Sequence, residues 1–116
     1  MKHITKTNNL LLDLVTELKK TSTSKKAKIW KVVAEELLRS TRQMREVNVD
    51  KINRLTKENE VIIVPGKVLG DGNLDHNVTV SAFNFSESAR KKLGNVLTIQ
   101  ELLKKNPKGT GVRIIG

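Results

Sequence analysis

The sequence predicts a fold of the α/β or α+β class, in which a helical hairpin precedes several short strand–helix units. Two patterns predict it. Apolar residues recur at three- and four-residue spacing through 10–18 and again through 30–38, as on one face of a helix. Beyond residue 46, a short strand, a polar cap and a two-turn helix follow one another three times, in VNV-D-KINRL, AFNF-S-ESARKKL and VL-T-IQELLKK.

The length of 116 residues fits one domain, so we expect a single domain over 1–116. Within it we distinguish a basic helical part, 1–46, from a strand–helix part with a basic C-terminus, 47–116. There is no cysteine for disulfides or thiolate metal sites, and no apolar run of about 18 residues for a membrane span. The first residues lack the apolar core of a signal peptide, so a cytoplasmic protein is expected.

Two amphipathic helices are predicted in the N-terminal part. The first covers LLLDLVTELKK, with Lys19 and Lys20 in its last turn, where cations suit the helix dipole. The segment TSTSKK is expected to break this helix, and Ser24 to cap a second one. Trp30 lies on the apolar face of the second helix, and we interpret it as a core residue.

The next elements surround the apolar run EVIIVPG, which is predicted to be a buried strand. Before it, Asp50 is expected to cap a short helix that turns Ile52 and Leu55 inward. After it, the alternation of VTVSAF predicts another strand.

The C-terminal elements carry clearer capping signals. Ser86 is predicted to cap the helix ESARKKL, and Thr98 with Glu101 matches a capping box at the start of the last helix. The segment VRIIG is predicted to be a closing strand.

The distribution of charge is the strongest functional signal. The formal net charge is +10, with +6 in residues 1–46, −2 in residues 47–89 and +6 in residues 90–116. Two basic ends and a near-neutral middle indicate a polyanionic partner that is contacted from two directions. The alternative is that the lysines only keep a small protein soluble.

The glycine-rich stretch GKVLGDG, residues 66–72, raises the question of a nucleotide phosphate site. It lacks the spacing and the Lys-Ser/Thr pair of a P-loop, and Asp71 and Asp75 would repel a phosphate. We interpret Asp71-Gly72-Asn73 as turn chemistry that reverses the chain between two strands. Lys67 is still expected to contact a phosphate, but one that belongs to a polymer.

No catalytic or metal site is predicted. Only His3 and His76 could act as a base, and there is no cysteine nucleophile. Asp71, Asp75 and His76 form the one group that could serve a metal or a small hydrolase. Because neighbours on an extended chain point to opposite sides, Asp75 and His76 are expected to be separated. We therefore predict no cofactor, no small-molecule substrate and no enzyme activity, with a hydrolase kept as an alternative.

The basic segments predict binding to folded RNA. Lysines cluster at the start of the second helix and arginines follow at three-residue intervals, groups that bind phosphate without reading bases. One Trp, two Phe and no Tyr are too few for the stacking platforms of single-strand binders, whereas folded RNA is bound largely through phosphate and 2′-hydroxyl groups. The predicted RNA-binding residues are Lys19, Lys20, Lys25, Lys26, Lys28, Lys31, Arg39, Arg42, Arg45, Arg54, Lys67, Arg90, Lys91, Lys108 and Arg113.

Several stretches resemble a known family over nearly the whole chain. IWKVVAEELLRSTRQMREVN, PGKVLGDG followed by FSESAR, and LTIQELLKKNPKGTGVRIIG are similar to the archaeal large-subunit ribosomal protein called eighteen-e, a relative of the C-terminal part of bacterial large-subunit protein fifteen. The short chain is typical of an archaeal rather than a eukaryotic member. The resemblance implies strand–helix turns stacked as a short α/β superhelix. It also implies a non-enzymatic ribosomal protein that binds large-subunit ribosomal RNA and packs against neighbouring ribosomal proteins. A free-standing nucleic-acid chaperone or chromatin-like protein with the same charge is the other alternative.

Overall fold

The computed structural model describes residues 6–39 and 45–115, with side chains from residue 11 onward. Its elements are α1 (Lys6–Lys25), α2 (Lys28–Arg39), β1 (Arg45–Asn48), α3 (Val49–Leu55), β2 (Glu60–Leu69), β3 (Val78–Phe85), α4 (Glu87–Lys92), β4 (Asn95–Thr98), α5 (Ile99–Lys105) and β5 (Val112–Ile114). This order confirms the α/β class, with two N-terminal helices ahead of strand–helix units. In the described ranges, no helix has the length and apolar character needed to cross a membrane.

The strands form one parallel sheet in the order β1-β2-β3-β4. The fifth strand pairs with residues 61–63 of β2, while β1 pairs with residues 66–69. Because β3 occupies the other side of β2, β1 and β5 lie end to end along one edge of it. The strand predicted in VRIIG is confirmed, and it joins β2 instead of following β4.

Helices cover both faces of this sheet. Ile63 of β2 belongs to an apolar cluster that also contains Trp30, together with side chains of α1, α2 and α5. Its neighbours Ile62 and Val64 belong to a second cluster, which includes Ile52 of α3 and side chains of α4. The alternation of side chains along β2 therefore divides the core into two layers. The burial of Trp30, whose exposed fraction is 0%, confirms its predicted core role.

The boundary between the first two helices differs from the prediction. TSTSKK does not break α1, which continues to Lys25, so Lys19 and Lys20 are not in its last turn and Ser24 does not cap α2. The helix ends at Lys25; the next residue, Lys26, has a φ of +54°, and the Ala27 N–H donates to the Ser22 carbonyl over 3.0 Å. A left-handed residue followed by this six-to-one bond is the usual way to close a helix, and the burial of Ala27 fixes it in place.

The third helix also begins earlier than predicted. Its N-cap is Asn48, so Asp50 lies in the first turn and is not the cap. Ile52 is buried as expected, but Leu55 is 45% exposed, because a seven-residue helix turns only a narrow stripe to the core.

The caps of the last two helices are confirmed. The Ser86 side chain accepts a hydrogen bond from the Ala89 N–H at the start of α4. At the start of α5, Thr98 and Glu101 each accept a hydrogen bond from the other's backbone N–H, which completes the capping box.

The glycine loop links two parallel strands. Gly72 has a φ of +97°, which agrees with the predicted turn, and the chain does reverse after Leu69. However, β2 and β3 pair in parallel, so residues 70–77 run back along the sheet to start β3 and do not close a hairpin.

Candidate nucleic-acid interface

The α1–α2 hairpin carries a group of cations, which we call the hairpin lysines. They are Lys19, Lys20, Lys25, Lys26, Lys28 and Lys31. All six are exposed, and none lies within 4.0 Å of a carboxylate in the part of the chain that the structure describes. They lie in the last two turns of α1, in the short connection after it and in the first turn of α2. The fold therefore places them around the connection between the two helices.

A shallow pocket lies between the two helices at this position. Lys19 and Lys31 line it from opposite helices, together with Ser22 and Thr23 of α1. An adjoining pocket is lined by Lys19, Lys20, Thr23 and Ser24. Ammonium groups beside hydroxyls are the donors that phosphate oxygens accept, so the segment TSTS supplies polar groups between the cations.

The predicted arginines behave differently from these lysines. On α2, Glu36 lies 3.4 Å from Arg39 and 3.1 Å from Arg45 of β1; the second contact is an ion pair and not an aligned hydrogen bond. The Arg45 contact joins α2 to the sheet, whereas the Arg39 contact lies within α2. Arg42, predicted in the same series, lies outside the described residues.

The other predicted arginines also contact protein groups. Arg54 lies 3.7 Å from Asp50 on the same helix, and Arg90 stacks over the Phe85 ring at 5.4 Å. Arg113 of β5 donates to the Leu55 carbonyl and pairs with Glu60. The contacts of Arg90 and Arg113 connect helices to strands, and each of the three arginines is still exposed and keeps donors for an outside partner.

The remaining predicted cations are lysines at scattered places. Lys67 is half-buried inside β2, beside Glu46 of β1 and Asn84 of β3, so it belongs to the strand and not to the turn. Lys91 of α4 and Lys108, which follows α5, are both exposed.

The glycine loop is closed by a lysine that the sequence analysis did not select. Lys92 Nζ donates to the carbonyls of Gly70 and Gly72, at 2.5 and 2.7 Å. A β-carbon on Gly70 would lie 2.7 Å from Ser88 Cβ and 2.9 Å from the Ala89 backbone nitrogen, and one on Gly72 would lie 2.7 Å from Asp50 Cα. The loop is therefore packed between α3 and α4, and its glycines serve close packing, not a phosphate. No spacing rule links Lys92 to a loop twenty residues earlier, so only the fold could reveal it.

The prediction that Asp75 and His76 are separated is wrong. His76 Nδ1 lies 2.9 Å from Asp75 Oδ1, and His76 Nε2 lies 2.8 Å from the Thr56 hydroxyl, which itself donates to the Ile52 carbonyl. The connection between β2 and β3 is not extended here, so neighbouring side chains can meet. This hydrogen bond from His76, and then one from Asn53, hold the pKa of the Asp75 carboxyl below its ordinary value. Thr56 is buried and its hydroxyl donates to the Ile52 carbonyl, so His76 has no accessible hydroxyl nucleophile beside it.

The two basic ends of the chain meet in space. The loop 106–111, between α5 and β5, lies against the start of α2: Trp30 Nε1 donates to the Pro107 carbonyl over 2.7 Å. A β-carbon on Gly109 would lie 2.5 Å from Ile29 Cγ2. The described parts of the two basic ends therefore lie next to each other and are not separated by the near-neutral middle, while contact with a polyanionic partner from two directions stays a prediction. Trp30 needs an acceptor for its buried N–H, and the C-terminal loop supplies it.

Comparison with known proteins decides the family. A family model described as ribosomal protein 60S L18 and 50S L18e matches residues 1–116. The chain belongs to this family. Three archaeal relatives are each named large ribosomal subunit protein eL18. The protein of Methanoregula boonei is 51% identical over 97% of this chain and 96% of its own, and that of Methanosphaerula palustris 50% identical over the same shares. The protein of Methanothermobacter thermautotrophicus is 46% identical over 99% of this chain and 98% of its own.

Membership of the L18e family confirms the resemblance seen in the sequence and excludes the hydrolase. These proteins are structural components of the large ribosomal subunit, so the chain is a ribosomal protein of the cytoplasm and not an enzyme. The contacts of His76 fit this conclusion, because they join α3 to the connection before β3.

Proposed function

We propose that this chain binds large-subunit ribosomal RNA through the hairpin lysines and Lys108, and that it packs against neighbouring ribosomal proteins. The observation that carries the proposal is the set of six exposed ammonium groups around one turn, without a carboxylate partner among the described residues. Like charges gathered on one surface repel one another, and a phosphate backbone is the partner that relieves this repulsion.

The other predicted RNA-binding residues take a secondary place in the proposal. Some of the N–H groups already contact protein groups in Arg39, Arg45 and Arg113. They add phosphate contacts where the RNA passes near them, because a guanidinium has five N–H donors. Protein neighbours are the partners that would bury the exposed Leu12, at 50%, and Val32, at 43%.

The salt dependence of RNA binding tests the proposal. Purified large-subunit ribosomal RNA is titrated with the protein at several salt concentrations, for the wild type and for Lys25→Ala/Lys28→Ala. Each lost phosphate contact lowers the log–log slope by about 0.7–0.9, so the double variant is expected to lose about 1.4–1.8 units. The matched control is Lys51→Ala/Lys57→Ala, which removes the same charge on the α3 side of the sheet.

Two results would contradict the proposal. Equal losses of slope in both double variants would mean that only net charge matters. Absence of wild-type binding at low salt would remove RNA as a partner altogether. Sedimentation of a cell lysate separates the remaining alternative, because a ribosomal component travels with the large subunit through moderate salt washes and a chromatin-like protein follows DNA.

A further inference from the structure

Internal hydrogen bonds give the loop 106–111 a defined conformation. The Gly109 N–H donates to the Asn106 carbonyl over 2.9 Å, and the Asn106 side chain donates to the Thr110 carbonyl over 2.9 Å. A second turn follows, in which the Val112 N–H donates to the Gly109 carbonyl over 3.3 Å. These bonds fix the loop's shape between α5 and β5.

The loop is also fixed in position relative to α2. The carbonyl of Pro107 accepts the indole N–H of Trp30, a side chain with an exposed fraction of 0%. Gly109, with a φ of +68°, approaches Ile29 so closely that a side chain there would collide with Cγ2. Because Lys108 stands between these two contact points, its backbone is held next to residues 29 and 30.

We propose that loop 106–111 and the first turns of α2 form one binding site for an RNA phosphodiester backbone, with Lys108, Lys28 and Lys31 as its cations. The proposal rests on the proposed function and specifies where that function is performed. Lys28 precedes Ile29 and Lys31 follows Trp30, so all three lysines adjoin the docked contact. Each is exposed and has no carboxylate within 4.0 Å among the described residues.

The chemistry of this surface favours RNA over a protein partner. Lysines and the exposed Thr110 dominate it, whereas the cores of protein interfaces are depleted in lysine. The backbone of Lys108 is held next to the turn of α2 that carries Lys28 and Lys31, and like charges on neighbouring segments repel one another until an anion binds. That arrangement is useful when an anion is bound there. The docked loop thus converts two distant basic segments of the sequence into one site.

A double-mutant cycle tests whether loop 106–111 and the first turns of α2 bind RNA as one site. Gly109→Ala is expected to displace the loop from Ile29, and Trp30→Phe to release it by removing the N–H donor while keeping an aromatic ring in the core. Lys108→Ala alone should lower the salt-dependence slope on ribosomal RNA by about 0.7–0.9. In the Gly109→Ala background, Lys108→Ala should have little further effect, because the displaced loop no longer contributes its contact.

Two glycines provide matched controls. A β-carbon at Gly94 meets nothing within 4 Å, and one at Gly111 also meets nothing although its φ is +76°. Gly94→Ala controls for the substitution itself and Gly111→Ala for backbone strain, and both should preserve the effect of Lys108→Ala. Trp30 is the only tryptophan in the chain, so its indole N–H resonance reports directly whether the loop is docked in each folded variant.

The outcomes distinguish this inference from the proposed function. If Lys108→Ala leaves the slope unchanged while Lys28→Ala/Lys31→Ala lowers it, the hairpin binds RNA alone and the shared site is wrong. If Lys108→Ala leaves the slope unchanged but weakens retention in assembled large subunits, the loop faces a protein neighbour and the inference is overturned. If the wild type does not bind ribosomal RNA, the proposed function is wrong as well.

Discussion

At the scale of single residues, arginine and lysine have different roles in this chain. Every arginine that the structure describes contacts a carboxylate, a carbonyl or an aromatic ring, whereas the hairpin lysines face solvent. The planar guanidinium is preorganised for several hydrogen bonds at once, while an ammonium group is compact and strongly hydrated. The sequence pattern predicted both as phosphate-binding cations and missed the partners of Arg39 and Arg54, three and four residues away, as well as the distant partner of Arg113.

Asp75 gives a pH-dependent prediction. Its pKa is lowered in the folded protein, first by the hydrogen bond from His76 and then by that from Asn53. A lowered pKa stabilises the folded state above the unfolded pKa, near 3.8, and this contribution is lost as the pH falls through the folded pKa. Asp75→Asn should therefore be less stable than the wild type at neutral pH, and the difference should disappear as the pH falls below 3.8 through the folded pKa.

Denaturant titrations of both proteins across this pH range measure the difference. Because Asp75 is fully exposed, we expect a small effect, visible as a convergence of the two midpoints at acid pH. A constant difference between the midpoints at every pH would contradict the assignment. Asp71→Asn, which removes an exposed carboxylate from the same connection, is the matched control.

At the scale of elements, packing determines where helices end and what loops do. Ser and Thr are only moderate helix formers, yet α1 continues through TSTSK because Ala27 becomes buried and closes the helix one turn later than the sequence suggests. Similarly, the glycines of residues 66–72 are needed because neighbouring backbones approach them closely. Sequence rules for caps succeeded at Ser86 and Thr98, where the capping bond is local.

The glycine loop gives a prediction about stability. Gly70→Ala should destabilise the protein by about 1–3 kcal/mol, the usual cost of overpacking, since the new methyl group would meet Ser88 and Ala89. RNA affinity should be unchanged in conditions where the variant is folded, because the loop is not part of the proposed interface.

Gly94→Ala is the matched comparison, because its β-carbon has open space around it. Thermal unfolding of the two variants beside the wild type makes the measurement. Equal stability of Gly70→Ala and Gly94→Ala would show that the loop is not tightly packed between α3 and α4.

At the scale of the whole molecule, β2 and β3 form the centre. β2 has β1 and β5 on one side and β3 on the other, and its alternating side chains enter both core layers. The stacked strand–helix units therefore share a common core instead of folding separately. The same sheet brings β5, and the loop before it, back to the start of α2.

Hydrogen exchange of the free protein should follow this architecture. Amides of residues 62–64 in β2 and 80–82 in β3 are expected to exchange last, because only global unfolding exposes them. Amides of β4, which pairs with β3 alone, should exchange earlier. Faster exchange in β2 than in β4 would contradict a single cooperative core.

The sequence by itself determined the class of the fold, the caps at Ser86 and Thr98, the burial of Trp30, the family and the basic character of both ends. The family follows from the resemblance of long stretches to known proteins, and the other features depend on periodicity, composition or bonds between residues a few positions apart. Only the tertiary structure decided that the strands are parallel, that Lys92 closes the glycine loop and that Asp75 meets His76. It also decided that the loop before β5 lies against the start of α2, because the indole N–H of Trp30 finds its acceptor 77 residues later in the chain. Such pairings depend on which strands lie next to each other, and no local pattern encodes that.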